Sequence, residues 1–410
     1  MSALVSSMNV SLSDTAWITP EGVSRAPLSI GAGRMGASTV KGAYRMDLRD
    51  HLVFPGLINA HEHLHVNAVP PLRAGSPFPN SYAWIEAFQA HFSEPQVIAA
   101  LQVPKAQRLR HGALKNLLAG ITCVAHHDPW HAELDAADFP VALLRDFGWS
   151  YTLDGPDYGP PVQQSFAATS PDQPWLIHLA EGTDAIAQAE LAELDRRGCL
   201  AANSVLIHGV GLSKQDVDRV IAAGAAVVWC PASNLALLGR TIDPRRLCVA
   251  GRLALGSDSR LSGERDLLAE LRGVALRGEL SHRQLLGLVT SAASRILRLP
   301  LHGNLAPGAH ANLVIVEDRG ADEAHSLVGI ERNQIRAVVR EGVPRIADPD
   351  FADWFAAAGV QTVSVTLDGK PKLLARDLAE PALMAMEPGL EQLADRPQAT
   401  HHLTTEARCH

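Results

Sequence analysis

The sequence predicts an α/β protein: a (β/α)8 TIM-like barrel with a small composite β-sandwich built from both chain ends. Three observations predict it. From Pro55 to about Pro300, short apolar runs ending in polar residues alternate with helical stretches, and runs apolar on both faces belong to a parallel sheet covered by helices. About 245 residues of this texture come close to the ~250 typical of such a barrel. Outside those limits the chain is strand-like and broken by glycine.

Taken in order, residues 1–54 hold strand-like pieces such as "APLSIGAGRMG" and "YRMDLRDHLVF" and form the first part of the sandwich. Residues 55–302 form the barrel. Its strands are "LVFPGLINAHEH", "GITCVAHHDP", "WSYTLDG", "PWLIHLAEG", "SVLIHGVG", "AAVVWCPASN" and "RLALGSDS". Only these seven are clear, so the remaining one, a reduced fourth strand, is expected to be very short or hidden between "WSYTLDG" and "PWLIHLAEG". Helices are expected over "DAIAQAELAELDRRG", "SKQDVDRVIAAG" and "GERDLLAELRGVALRG", the first two ending on glycine as helix C-caps commonly do. Residues 303–376 return to strands, among them "TVSVTLDGKPKLLA" with a hairpin-forming Asp368-Gly369. Residues 377–410 read as one helix and a polar tail.

Composition excludes several classes. The chain has 410 residues, 47% hydrophobic and 20% charged, with a net charge of −8, which suits a globular protein and argues against nucleic acid or an anionic membrane as partner. No apolar run reaches the roughly 20 residues of a membrane helix. The start, "MSALVSSMNVSLSDTAW", has neither a basic head nor a sustained apolar run, so it does not read as a signal peptide. Five scattered cysteines suggest reduced thiols and a cytoplasmic setting. The expected partner is a small-molecule substrate.

Side chains at the C-terminal ends of barrel strands converge on a common mouth. Those ends carry His61, His63, His65, His126, His127, His178, His208 and Asp258. Two imidazoles at i and i+2 share a strand face and can hold one ion at the ~2.0–2.1 Å of a Zn–N bond. A further histidine and a carboxylate from across the mouth complete such a site. Imidazole with oxygen ligands suits one divalent ion, Zn²⁺ first and Fe²⁺ as rival. Spacing alone leaves open whether the pair is His61 with His63 or His63 with His65. His126 and His127 are adjacent, so one is expected to face the mouth and the other not.

"PGLINAHEH" resembles the amidohydrolase superfamily, in particular its deaminase-like, mononuclear members: the cytosine, guanine and S-adenosylhomocysteine deaminases and related chlorohydrolases. The resemblance continues through "HLAE" at His178–Glu181, "HG" at His208, "CPASN" at Cys230–Asn234 and "GSDS" around Asp258. "HGNLAPGAHANLVIVE" is similar to that family's return into its composite sandwich. The resemblance implies His61, His63, His178 and Asp258 as metal ligands, leaving His65 in the loop beyond. It implies Glu181, His208 and Asp258 as catalytic groups, with Glu181 protonating a ring nitrogen. Dinuclear relatives bridge two ions with a lysine, and no lysine lies between 116 and 213, so one metal is expected.

The expected activity is hydrolysis of a non-peptide C–N bond in a small cyclic amidine or amide, with deamination of an aminated heterocycle preferred. Ring opening of a cyclic amide, as in imidazolone-type hydrolases, is one alternative. A non-hydrolytic isomerase or decarboxylase using the ion as Lewis acid is another. Arg260, Trp84 and Asn234 are candidate substrate contacts, Arg260 as a carboxylate or phosphate clamp against a local ion pair, Asn234 against a turn role. The Pro-rich "NAVPPLRAGSPFPNSYAWIEAF" is a candidate lid, with Arg73 as a further contact. Cys230 reads as packing. By analogy with relatives, a homo-oligomer is expected.

Overall fold

The first apolar run is cut in two at Gly56. His51–Pro55 belongs to one sheet and Leu57–Glu62 to another, and a Cβ at Gly56 would stand 2.2 Å from Thr122 Oγ1 and 2.9 Å from Asn312 Cβ. Only glycine fits where the chain passes from one layer to the next. The computed structural model describes residues 8–20, 22–38, 41–73, 75–154, 158–320 and 322–393.

His51–Pro55 pairs antiparallel with Leu313–Glu317, so the two ends of the chain share one sheet. That sheet has nine strands, in the order Leu390–Gln392, Thr362–Leu367, Lys370–Ala375, Val343–Ala347, Ala337–Arg340, Leu313–Glu317, His51–Pro55, Ala16–Ile18 and Val23–Ser24. A four-stranded sheet, Arg34–Gly36, Leu28–Gly31, Val10–Ser13 and Tyr44–Asp47, accompanies it. The expected hairpin turns at Asp368 and Gly369, with φ of 47° and 80°, as a type I′ turn requires. The terminal segment holds a short helix, Pro381–Met386, and also a strand, Leu390–Gln392, which the expectation of one helix and a tail lacked; residues 394–410 lie outside the described residues.

The barrel strands are parallel and form two hydrogen-bonded groups. One is Leu57–Glu62, Ile121–His126 and Ala142–Leu143; the other is Gly148–Ser150, Trp175–Leu179, Ser204–His208, Ala226–Trp229 and Leu253–Leu255. The Asp258 N–H donates to the His61 carbonyl at 3.2 Å, joining the last strand end to the first. A Cβ on Gly256 would come within 2.9 Å of the His61 nitrogen.

The eighth strand is not where the sequence placed it. Among the described residues, 151–174 contain a helix, Val162–Ala168, but no strand; the extra piece is Ala142–Leu143, upstream of "WSYTLDG". A crossover between parallel strands takes a dozen or more residues, and here only 144–147 intervene. One broken stretch therefore pairs with the second strand at its start and with Trp175–Leu179 at its end.

Ile58, Ala60, Cys123, Ala125, Leu176, Val205, Ile207, Ala226, Val228 and Ala254 fill the barrel interior, at the i, i+2 spacing that strands impose. Their neighbours Leu57, Ile121, Val124, Ile177, Leu206, Val227 and Leu253 pack outward with the helices in a second cluster. The three expected helices occur as Ala185–Arg196, Lys214–Ala222 and Leu267–Arg277. Among the described residues, no helix is long and apolar enough to cross a membrane.

Candidate active site

The first strand delivers His61 through an irregularity. With Ile58 and Ala60 facing the barrel interior, strict alternation sends His61 outward. The ladder to the second strand shifts register between Asn59 and Glu62, and such a bulge re-aims side chains. Glu62 is then turned away from the mouth into a buried network. Its Oε2 accepts from Lys115 Nζ at 2.8 Å and from Ser257 Oγ at 3.0 Å, and its Oε1 accepts from the His63 N–H at 3.1 Å. Other strand ends are re-aimed by backbone strain. Ala180, His208 and Asp258 have φ of 53°, 74° and 53°, a region costly for residues with a side chain and concentrated at functional sites.

At the mouth His61 is shared by two clusters whose nitrogen and oxygen atoms lie within 4.8 Å of one another, one with His63 and Asp258 and one with His127 and His178. His61 Nε2 lies 3.3 Å from His178 Nε2 and 3.7 Å from Asp258 Oδ1, and His63 Nε2 lies 3.6 Å from the same oxygen. Ligands about 2.1 Å from one ion in a tetrahedron stand ~3.4 Å apart, so these separations fit a single cation. The outer nitrogens are arranged for it: His63 Nδ1 donates to Asp128 Oδ2 at 2.8 Å, and His178 Nδ1 donates to the Tyr151 carbonyl at 2.8 Å. Such partners fix the ring and leave Nε2 free for a metal. His61 Nδ1 is buried and has no partner. The residues present therefore fit a divalent ion.

Electrostatics agree with this geometry at two of the three imidazoles. Burial lowers His61 to about 4 and pushes His178 well below the usual histidine range, keeping both rings neutral, as ligation requires. Burial also disfavours a charged His63, but Asp128 and Asp258 outweigh it and hold that ring up at about 9. Asp258 is likewise buried, yet the hydrogen bond with His61 and the charges of His63 and His208 keep its carboxyl well below the usual range. Its Oδ2 accepts from Ser233 Oγ at 2.7 Å and Ser262 Oγ at 3.0 Å, leaving Oδ1 toward the histidines.

Glu181 and His208 stand beside this cluster. His208 Nδ1 donates to Asn234 Oδ1 at 2.8 Å, and its Nε2 lies 3.6 Å from Glu181 Oε1. Trp84 Nε1 donates to the same Glu181 oxygen at 2.9 Å. Burial raises the Glu181 carboxyl, which favours a proton donor.

A cavity of about 300 Å³ opens over the cluster, lined by His63, His178, His208 and Asp258 at its floor and by Trp84, Phe88, Phe92, Tyr151 and Tyr158 above. Glu181 sits directly behind Trp84 and His208.

Two expectations need correction. Arg260 is no clamp: its guanidinium grips Glu387 with two hydrogen bonds of 2.9 and 2.8 Å and donates to the Arg265 carbonyl. Asn234 does not face the cavity; its amide bridges His208 and Thr241, so it positions His208. His126 and His127 diverge, as adjacent residues should: His127 joins His61 and His178, and His126 joins His65 and Asp128. His127 stacks on His178 at 4.5 Å, while His126 turns to Asp128 at 3.7 Å, beside His65 at 3.4 Å.

The expected lid is partly a helix, Ser81–His91, started by Asn80, whose side chain accepts from the Ala83 N–H. Arg73 is exposed and does not line the cavity, whereas Trp84 does. The sequence reading missed Asp128, Tyr151, Tyr158, Phe88 and Phe92. Phe88 and Phe92 had a signal, since Trp84, Phe88 and Phe92 recur every fourth residue, the spacing of one helix face. Asp128 follows "AHH" directly, but nothing local marks its role.

The sequence profile of the Amidohydrolase family matches residues 164–345. Over 332 residues the chain is 23% identical to a 5-methylthioadenosine/S-adenosylhomocysteine deaminase of Haloarcula marismortui, covering 68% of this chain and 76% of that one. It is 24% identical over 362 residues to an 8-oxoguanine deaminase of Pseudomonas aeruginosa, covering 70% and 78%. The fold is similar to that of a zinc-bound adenosine deaminase from Xanthomonas campestris, with a TM-score of 0.65 at 19% identity over 86% of this chain and 97% of that one. It is also similar to an atrazine chlorohydrolase from Arthrobacter aurescens complexed with zinc, at 0.64 and 19%, covering 85% and 100%. Barrel, mouth and sequence match agree: residues 164–345 of this chain match the Amidohydrolase family domain.

Proposed function

We propose that the protein is a mononuclear metal-dependent deaminase of a small aminated heterocycle. The observation that carries this is the approach of His178 and Asp258 to His61, and of His63 to the same Asp258 oxygen, at ion-binding separations, with Glu181 and His208 alongside. Four deaminase and hydrolase relatives or fold neighbours support it; two are solved with zinc, and zinc is the metal we assign.

A divalent ion bound there would lower the pKa of a water towards ~7, supplying a nucleophile near neutral pH. The chain's own groups handle the rest. His208 donates at Nδ1 to Asn234 and so turns Nε2 towards the site as an acceptor for a water proton. Once protonated, the same Nε2 donates to oxygen charge developing at the attacked carbon. Asp258 Oδ1 is the second acceptor, held by the serines on Oδ2. Glu181, raised by burial, delivers its proton to the ring nitrogen once Trp84 yields its place. The products are ammonia and the carbonyl heterocycle.

Glu181→Gln should lower ammonia release at least ~100-fold while metal content, measured on the same protein, stays unchanged. Unchanged turnover across aminopurines, aminopyrimidines and triazines would remove Glu181 from the chemistry.

A further inference from the structure

Glu190, on the helix Ala185–Arg196, is a buried acid without a part in the proposed chemistry. Its Oε2 accepts from the Ala180 N–H at 2.5 Å, and its Oε1 accepts from the Tyr82 hydroxyl at 2.7 Å. Burial pushes its carboxyl up to about 7, against the pull of those two donors. Enclosing an acid costs stability unless it is well paired, and both partners here belong to the walls of the mouth.

Ala180 is the residue that turns Glu181 towards the site. His178 shares the inner face of its strand with Leu176, while Leu179 packs outward. Side chains three apart on a strand point to opposite faces, so continued alternation would send Glu181 outward with Leu179. The left-handed Ala180, with φ of 53°, breaks that alternation, and a residue with a side chain keeps such a conformation only where its surroundings impose it. Both of its backbone groups are held, the N–H by Glu190 and the carbonyl by the Gly211 N–H at 2.7 Å.

Tyr82 brings in the helix above. Asn80 pairs antiparallel with Gly182, the Ser81 N–H donates to the Glu181 carbonyl at 2.8 Å, and the Thr183 N–H donates to the Pro79 carbonyl at 2.8 Å. Tyr82 adds a side-chain tie to Glu190 from the same helical turn that carries Trp84, whose indole N–H holds the Glu181 carboxyl. Glu190 is thereby bonded both to the kink before Glu181 and to the helix that covers it.

We propose that Glu190 is a positioning residue: by holding the Ala180 N–H and the Tyr82 hydroxyl together, it aims the Glu181 carboxyl at the mouth. This rests on the deaminase reading for what Glu181 does there, and on the hydrogen bonds alone for how Glu181 is placed.

Three full-length variants test it with zinc added: Glu190→Leu, Glu190→Gln, and Glu190→Leu combined with Glu181→Gln. Ammonia release is followed on the aminopurine, aminopyrimidine or triazine that the parent turns over fastest. Glu190→Leu should lower kcat at least ~10-fold, while KM and zinc content stay at the parent's values. Glu190→Gln should keep kcat within ~3-fold of the parent, because its amide oxygen accepts from Ala180 while its NH2 donates to a rotated Tyr82 hydroxyl. In the Glu181→Gln background Glu190→Leu should cost under ~3-fold, since the group it aims is gone. An equal loss in both backgrounds, or no loss in either, overturns the proposal. Crystal structures of the zinc-loaded parent and Glu190→Leu read the placement without turnover. Loss of the left-handed Ala180, or withdrawal of Glu181 Oε1 from its 3.6 Å approach to His208 Nε2, is expected; both features unchanged overturn the inference. Should Glu190→Leu not fold, Glu190→Asp, whose carboxylate stops one methylene short of both donors, takes its place with the same expectations. A parent that releases no ammonia sinks the deaminase reading alone, and the crystal comparison still decides this inference.

Discussion

Trp84 and Glu181 show how one hydrogen bond can tune a proton donor. Burial raises the Glu181 carboxyl, and the Trp84 N–H works against that by stabilising the ionised form. Activity that needs protonated Glu181 falls as pH rises through its pKa. Trp84→Phe removes the opposing donor, so the alkaline limb of the kcat/KM profile should move to higher pH; a limb that stays put or moves down would contradict the pairing. At this scale the sequence was informative about the floor of the site and silent about its walls. Strand-end chemistry narrowed the floor to eight residues, and His61, His63, His178 and Asp258 could be singled out among them because their motifs resemble the amidohydrolase superfamily. Asp128, Tyr151 and Tyr158 could not, because a bend and a tyrosine in a loop look alike whether or not they face a cavity. Arg260 misled for the converse reason. A guanidinium two residues beyond Asp258 resembles an anion clamp until its partner, Glu387, is brought in from a distant part of the chain.

That partner defines an element-scale device. Glu387 follows the helix Pro381–Met386 and is completely enclosed; it takes hydrogen bonds from Arg260, Arg332 and His111. Burial alone would raise its carboxyl, but His111, Arg260 and Arg332 hold it far below the usual range. The loop that carries Asp258, Ser259 and Ser262 is thereby tied to the terminal segment. Glu387→Gln leaves three buried donors short of a charge, and breaking such a network costs about 3–5 kcal/mol. Urea unfolding at pH 7 should show that loss, and ligand affinity should weaken with it; a loss under 1 kcal/mol would mean the network relaxes through water. Strands were legible wherever they ran for four residues or more. Of the broken stretch 142–150, the end at Gly148–Ser150 was read through "WSYTLDG", but Ala142–Leu143 was not, since two residues carry no period.

For the molecule as a whole, two enclosed acids give stability a direction in pH. Burial pushes Glu270 up to about 8 and Glu190 up to about 7. In the unfolded chain both would titrate near the ordinary 4.5, so between those limits the folded state holds more protons. Their contribution to stability is full below about 4.5 and is lost as pH rises towards the folded values. Glu270→Gln should flatten that decline, gaining on the parent by on the order of a few kcal/mol between pH 6 and pH 9. Denaturant midpoints at the two pH values measure it, and parallel shifts in both proteins would refute it. The architecture itself was readable from the alternation of runs, and the seam at Gly56 was not, because one unbroken apolar segment serves two sheets.

That seam gives the molecule a mechanical property. His51–Pro55 is stitched to Leu313–Glu317, and the strand bearing His61 begins immediately after Gly56. Strain in that stitching is therefore a single glycine removed from the strand that carries the innermost imidazole.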